Sequence, residues 1–243
     1  MLLPEQALNK LSADQVFPLL DIMRLLVLEP PVLDYFMKNA RKGVMMLSSA
    51  WLICPELTWR LYVEDVLLQT INRYGSGNSS RPVTIMALRL ACNLFQSPAA
   101  TSYITSIQVT HTKLIPRAVL NTAIIENLLH DDAGAQQSAG SLSFNAARII
   151  HDAYPEEEEW ACEIVAAIGQ AIDKTEDEEA LLRLLATLGL LVQYAPEPVL
   201  DLCHALNLGV VVKSSRERVT GKRTATSSKA SELGREIVKM LDL

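Results

Sequence analysis

Four arginines stand alone inside otherwise apolar helical stretches of this 243-residue chain: Arg24 in Gln15–Pro31, Arg89 in Ile85–Phe95, Arg148 in Phe144–Ile150 and Arg183 in Leu181–Leu191. A guanidinium is always charged, presents a planar fork of N–H donors, and cannot be left unpaired in an apolar interior. Two kinds of partner can satisfy it. One is a carboxylate on its own helix: Asp21 lies three residues before Arg24, and Glu179 four residues before Arg183, both at spacings that face one another. The other is an anionic ligand, if several of these arginines line one groove. An acidic peptide or a terminal carboxylate would then be held bidentately.

Other chemistry finds little support. The chain contains no GxSxG, HExxH, P-loop or GxGxxG pattern. Its histidines (His111, His130, His151 and His204) are scattered, and His151 and Asp152, adjacent in sequence, point in different directions on a helix. The cysteines Cys54, Cys92, Cys162 and Cys203 form no CxxC, so free thiols in a reducing compartment are expected. No ligand spacing suggests a metal. The sequence therefore predicts no catalysis, no cofactor and no metal.

The elements that must position the arginines are helices. Hydrophobic residues make up 49% of the chain but aromatic ones only 5%, a balance of Leu, Ala, Ile and Val that suits helix-on-helix packing. No run of alternating residues with hairpin turns stands out. A net charge of −6 disfavours nucleic acid as the main partner. No window has the uninterrupted apolar length of a membrane span, and Met1-Leu-Leu-Pro4 lacks the features of a leader. A soluble, intracellular protein is expected.

The first arginine-bearing helix is apolar on almost every side and is expected inside a helical stack, starting near Phe17 so that Pro18 falls in its first turn. Pro31 opens the next helix, and further helices cover residues 44–53 and the stretch from Pro55 to the loop at Gly75–Ser80. Pro82 and Pro116 open two more. His130–Gly140 reads as a polar loop before the Arg148 helix. The acids Glu156–Glu159, and Asp177, Glu178 and Glu179, sit where they favour a helix dipole. Lys213–Ser231 holds six basic residues and one acid among many Ser and Thr, and reads as a mobile basic loop before a last helix. About a dozen helices result. The irregular recurrence of arginine-bearing helices is compatible with an armadillo- or HEAT-type solenoid with an extended concave surface.

Three segments then identify a resemblance. Val16–Pro30 (VFPLLDIMRLLVLEP), Ala87–Phe95 (ALRLACNLF) and Ala180–Val192 (ALLRLLATLGLLV) occur in the order of the signatures of the PUL domain family, followed by a tail at Leu206-Asn-Leu-Gly-Val210 that is similar to the family's end. That family is named for the phospholipase A2-activating protein and its yeast counterparts in ubiquitin-dependent degradation. The resemblance covers residues 15–243. It implies one all-α, armadillo-like domain across residues 1–243 and no enzymatic activity. It also implies binding of the acidic C-terminal tail of the AAA ATPase valosin-containing protein through basic residues on the concave face. By motif, Arg24 and Arg183 are the leading peptide-binding candidates, with Arg89 and Asn93 from the second segment. Arg148 joins them by the repeated pattern. Membrane and nucleic acid are not expected as partners.

Overall fold

The computed structural model describes residues 13–33, 67–76, 79–110, 112–220 and 224–242. In chain order its helices are α1 (Ala13–Leu26), α2 (Arg81–Leu94), α3 (Pro98–Ile104), α4 (Pro116–Leu128), α5 (Ala133–Asp152), α6 (Glu158–Lys174), α7 (Glu178–Val192), α8 (Glu197–Ala205), α9 (Leu208–Thr220) and α10 (Ala225–Leu241). Residues 30–33 and 67–74 are also helical, and no strand occurs among the described residues. This is the all-α class expected from composition and the helical-repeat architecture expected from the recurring arginine-bearing helices and the family resemblance. The expected helix at 44–53, most of the one from Pro55, and Cys54 lie outside the described residues. The chain divides into two compact units, 1–123 and 124–243, with the boundary inside α4.

In the first unit, Val16 and Leu20 of α1 pack with Tyr74 and with Val83 and Ala87 of α2, and Met23 and Met86 close the cluster. The spacing from Val16 to Leu20 is one helical turn, so a single stripe of α1 makes this contact. The expected start near Phe17 is corrected: α1 begins at Ala13 and carries Pro18 inside it. Pro18 has no N–H to give to the helix ladder, while Val16 and Leu20 on either side of it are buried. The expected enclosure on every side is corrected as well. Ile22 is 55% exposed, and Phe17, Leu25 and Leu26 are exposed with it.

The second unit is built around α7, which packs against α5, α6 and α10, while α9 bridges α6 and α10. Leu181, Leu184, Leu185, Leu188 and Leu191 of α7 are all buried. Asp177 caps α7 through the Ala180 N–H at 2.7 Å, and Asp132 caps α5 through the Ala135 N–H at 2.9 Å. The expected loop at His130–Gly140 is therefore corrected to a capped helix start at Asp132. Its small, polar residues hide a helical stripe, with Ala135, Ser138, Ala139 and Leu142 buried.

The Lys213–Ser231 segment is also corrected. It is helical over 213–220 and 225–231. Leu208, Val212 and Ser215 form the buried stripe of α9. Thr224 starts α10 with a capping box: the Ser227 N–H donates to Thr224 Oγ1 at 3.0 Å, and the Thr224 N–H donates to Ser227 Oγ at 2.9 Å. Two of its basic side chains have structural partners. Arg218 donates to the carbonyls of Ile172 and Asp173, each at 2.7 Å, at the C-terminal end of α6, and Lys213 pairs with Asp242 at 3.6 Å.

Candidate functional site

The five candidate residues fall into two sets, one in each unit. In the first, Arg24 occupies the last turn of α1. Its Nε and Nη2 both donate to one oxygen of Asp21, at 3.0 and 2.7 Å. The backbone tightens just beyond: the Leu28 N–H donates to Leu25, not to Arg24. The Arg24 carbonyl instead accepts a bond of 2.9 Å from Asn93 Nδ2 on α2. Asn93 is thus a helix cap supplied from a neighbouring helix, which satisfies one of the carbonyls that every helix end leaves over. Arg89 lies one turn before Asn93, on the same face of α2. It is exposed and makes no hydrogen bond or ion pair among the described residues.

Replacing Asn93 by Ala removes this cap and leaves a partly buried carbonyl unpaired. We expect it to destabilise the protein by about 1–2 kcal/mol. Urea denaturation would show this as a lower midpoint; an unchanged midpoint would mean that water replaces the amide without loss.

The second set spans α5 and α7. Arg183 donates through Nε and Nη2 to Glu179 Oε1, at 3.1 and 2.9 Å, and through Nη1 to the Gln137 carbonyl at 2.9 Å and to Ser141 Oγ at 2.7 Å. Only one hydrogen of the five on this guanidinium is left over. The two helices approach closely because residue 140 is Gly: a Cβ there would stand 3.1 Å from Arg183 Cβ. Gln137 further donates to the capping carboxylate of Asp177 at 2.9 Å. Gln137, Ser141 and Arg148 share one stripe of α5, with Arg148 about 10 Å beyond Ser141 along the axis. Arg148 is exposed and, like Arg89, has no partner among the described residues.

Each unit therefore offers one arginine tied to its own helix and one free arginine near it. The tied pairs, Arg24–Asp21 and Arg183–Glu179, are the local pairs that sequence spacing anticipates. Sequence reasoning missed Gln137 and Ser141, which hold Arg183 from across the helix interface. Their spacing of four residues is a helical signal, obscured by reading the stretch up to Gly140 as loop.

The thiols carry no sign of activation. Cys203 is buried, Cys92 and Cys162 are half-buried, and none of the three is in a disulfide. Burial pushes the Cys203 thiol up to about 12, with Cys162 nearby adding to the effect. Cys162 is raised by burial and by Glu158. A reactive thiol needs the opposite direction. Tyr154, whose hydroxyl donates to the Leu191 carbonyl at 2.8 Å, is raised to about 12, chiefly by burial.

These shifts set a pH dependence. In the unfolded chain Cys203 ionises near 9.0 and Tyr154 near 10.0, while the folded protein keeps both protons to about 12. The folded state thus holds more protons across that window, so stability is full below about pH 9 and declines as pH rises toward 12. Urea midpoints at pH 8 and 10.5 test this. The decline should be shallower in Cys203→Ala, and an identical slope would remove Cys203 as its source.

Among the described residues no cluster of three or more His, Cys, Asp and Glu could hold a metal ion, and no helix is long and apolar enough to cross a membrane. Compared with known proteins, residues 3–236 match the family model of the PUL domain. A search of curated proteins finds no significant match.

Proposed function

The chain belongs to the PUL domain family, a family of protein-interaction domains, and from that premise we propose that it is a non-enzymatic adaptor for the acidic C-terminal tail of the AAA ATPase valosin-containing protein. On this reading it acts in ubiquitin-dependent protein degradation, in cytoplasm and nucleus, and presents its basic residues on the concave face of an armadillo-like superhelix. The observation that carries the reading is the pair of exposed arginines, Arg89 and Arg148, unpaired among the described residues. Each stands near an arginine already fixed in place. A flexible acidic tail is the kind of ligand that such cations bind, through charge-assisted hydrogen bonds worth about 1.5–3 kcal/mol each.

After the entropy of ordering the tail, a few such bonds give micromolar binding. Calorimetric titration with a peptide of the tail tests the reading. Affinity should fall steeply from low to high salt, because exposed ion pairs are screened. No binding, or binding indifferent to salt, would remove the tail as the ligand. A second reading is favoured by the local pairs Arg24–Asp21 and Arg183–Glu179: a structural scaffold whose protein partner binds elsewhere. It predicts that Arg89 and Arg148 are dispensable for partner binding.

A further inference from the structure

An open pocket of about 440 Å³ lies between α9 and α10, and none of the candidate arginines lines it. Its walls are Arg216, Thr224, Ser227, Ser228, Ser231, Glu232 and Arg235. Two of the hydroxyls are already committed. Thr224 Oγ1 accepts from the Ser227 N–H and donates to the Glu178 carboxylate, and Ser227 Oγ donates to the Thr224 carbonyl at 2.9 Å.

Ser228 and Ser231 differ. Several other helical hydroxyls bond a carbonyl three or four residues back, as Ser138, Ser141, Thr187 and Ser215 do, while those of Thr70 and Thr84 have no partner among the described residues. The Ser228 and Ser231 hydroxyls have no partner among the described residues. Arg235 has only a long 3.6 Å contact from Nε to Glu236, so its Nη groups are uncommitted. Ser228, Ser231 and Arg235 follow at three and four residues and so share one stripe of α10.

The second wall is placed by a glycine. A Cβ at position 234 would stand 2.6 Å from Arg216 Cδ and 2.9 Å from Arg216 Cγ. Only a bare backbone lets the stem of Arg216 lie across α10 and carry its guanidinium to the pocket. Two guanidinium groups and two unpartnered hydroxyls thus line one polar space, with Glu232 in its wall and the Glu236 and Glu178 carboxylates beside Arg235 and Thr224.

We propose that this pocket binds a phosphate monoester dianion. Such a group offers several acceptor oxygens and a double charge, which suits planar guanidinium forks with hydroxyl donors beside them. A carboxylate presents fewer acceptors and half the charge, and fills the donor set less well. Glu232 weakens the hold on any anion. The inference is independent of the ATPase-tail reading, since it uses none of its residues and neither outcome decides the other.

The test is an NMR titration of the isotope-labelled 243-residue chain at constant ionic strength. The probes are N-acetyl-O-phosphoserine methylamide, its unphosphorylated form, inorganic phosphate and N-acetylaspartate methylamide. Saturable shifts of the Ser228, Ser231 and Arg235 amides are expected with the phosphorylated probe, none with the unphosphorylated one, and weaker binding with aspartate. Arg235→Ala changes an exposed side chain and should fold normally, yet weaken binding at least about tenfold. Glu232→Gln should strengthen it several-fold, which a merely structural role would not do. Inorganic phosphate binding as tightly as the phosphoserine probe would identify free phosphate as the ligand's source; tighter binding of the probe would identify a phosphorylated side chain. Absence of saturable shifts, or affinity unchanged in both variants, would overturn the proposal.

Discussion

Leu188→Ala is expected to destabilise the protein by about 2–5 kcal/mol, the range for removing a large aliphatic side chain from a packed interior. Leu188 is 0% exposed, in the helix that packs against α5, α6 and α10 together. Its loss removes apolar burial and leaves a cavity that three helices cannot collapse to fill at once. Total stabilities are about 5–15 kcal/mol, so a third of the total is at stake. At roughly 2–4 °C per kcal/mol for a chain of this size, Tm should fall by about 10 °C. Val210→Ala is the matched control, because Val210 is 61% exposed and its truncation should change stability by less than about 0.5 kcal/mol. Equal effects of the two substitutions would show that α7 is not the centre of its unit.

The largest functional effect is expected from Arg148→Glu. Arg148 is exposed and unpaired among the described residues, so reversing its charge leaves the fold intact. It replaces an attraction to the acidic tail with a repulsion, and affinity for the tail peptide should fall at least about tenfold. The salt dependence should become shallower, since one screened pair has gone. Arg89→Glu makes the same test in the first unit. Arg183→Ala is a poorer probe of binding because it also breaks the bonds to Gln137, Ser141 and Glu179 that join α5 to α7. Wild-type affinity in both Arg89→Glu and Arg148→Glu would turn the conclusion to the scaffold reading.

What was legible in the sequence was local. Spacing alone pairs Arg24 with Asp21 and Arg183 with Glu179, because three- and four-residue separations face each other on any helix. The three segments of family resemblance led to the fold and to its family. Asn93 was singled out by its segment, but its bond to the Arg24 carbonyl joins residues 69 apart in sequence, which no local pattern encodes. The two misread loops have a common cause. In His130–Gly140 and Lys213–Ser231 the buried stripes are made of Ala, Gly and Ser as much as of Leu and Val. Ser138 and Gly140 in α5, Ser215 in α9, and Ser227 and Ala230 in α10 are buried. Small residues let helices approach closely, yet composition scores them as turn-forming or polar. The basic charges of the second stretch strengthened that error, although Arg218 is spent on the end of α6.

The four bonds that hold Arg183 also have a kinetic meaning. A guanidinium already fixed has lost its rotamer freedom before any ligand arrives, whereas Arg148 keeps the full mobility of a long exposed chain. The two arginines of that pair would then act at different moments of an encounter. The free one reaches out and captures charge, and so governs how fast an acidic segment is recruited. The fixed one offers a pre-ordered donor whose engagement adds little entropy loss, and so governs how long the segment stays.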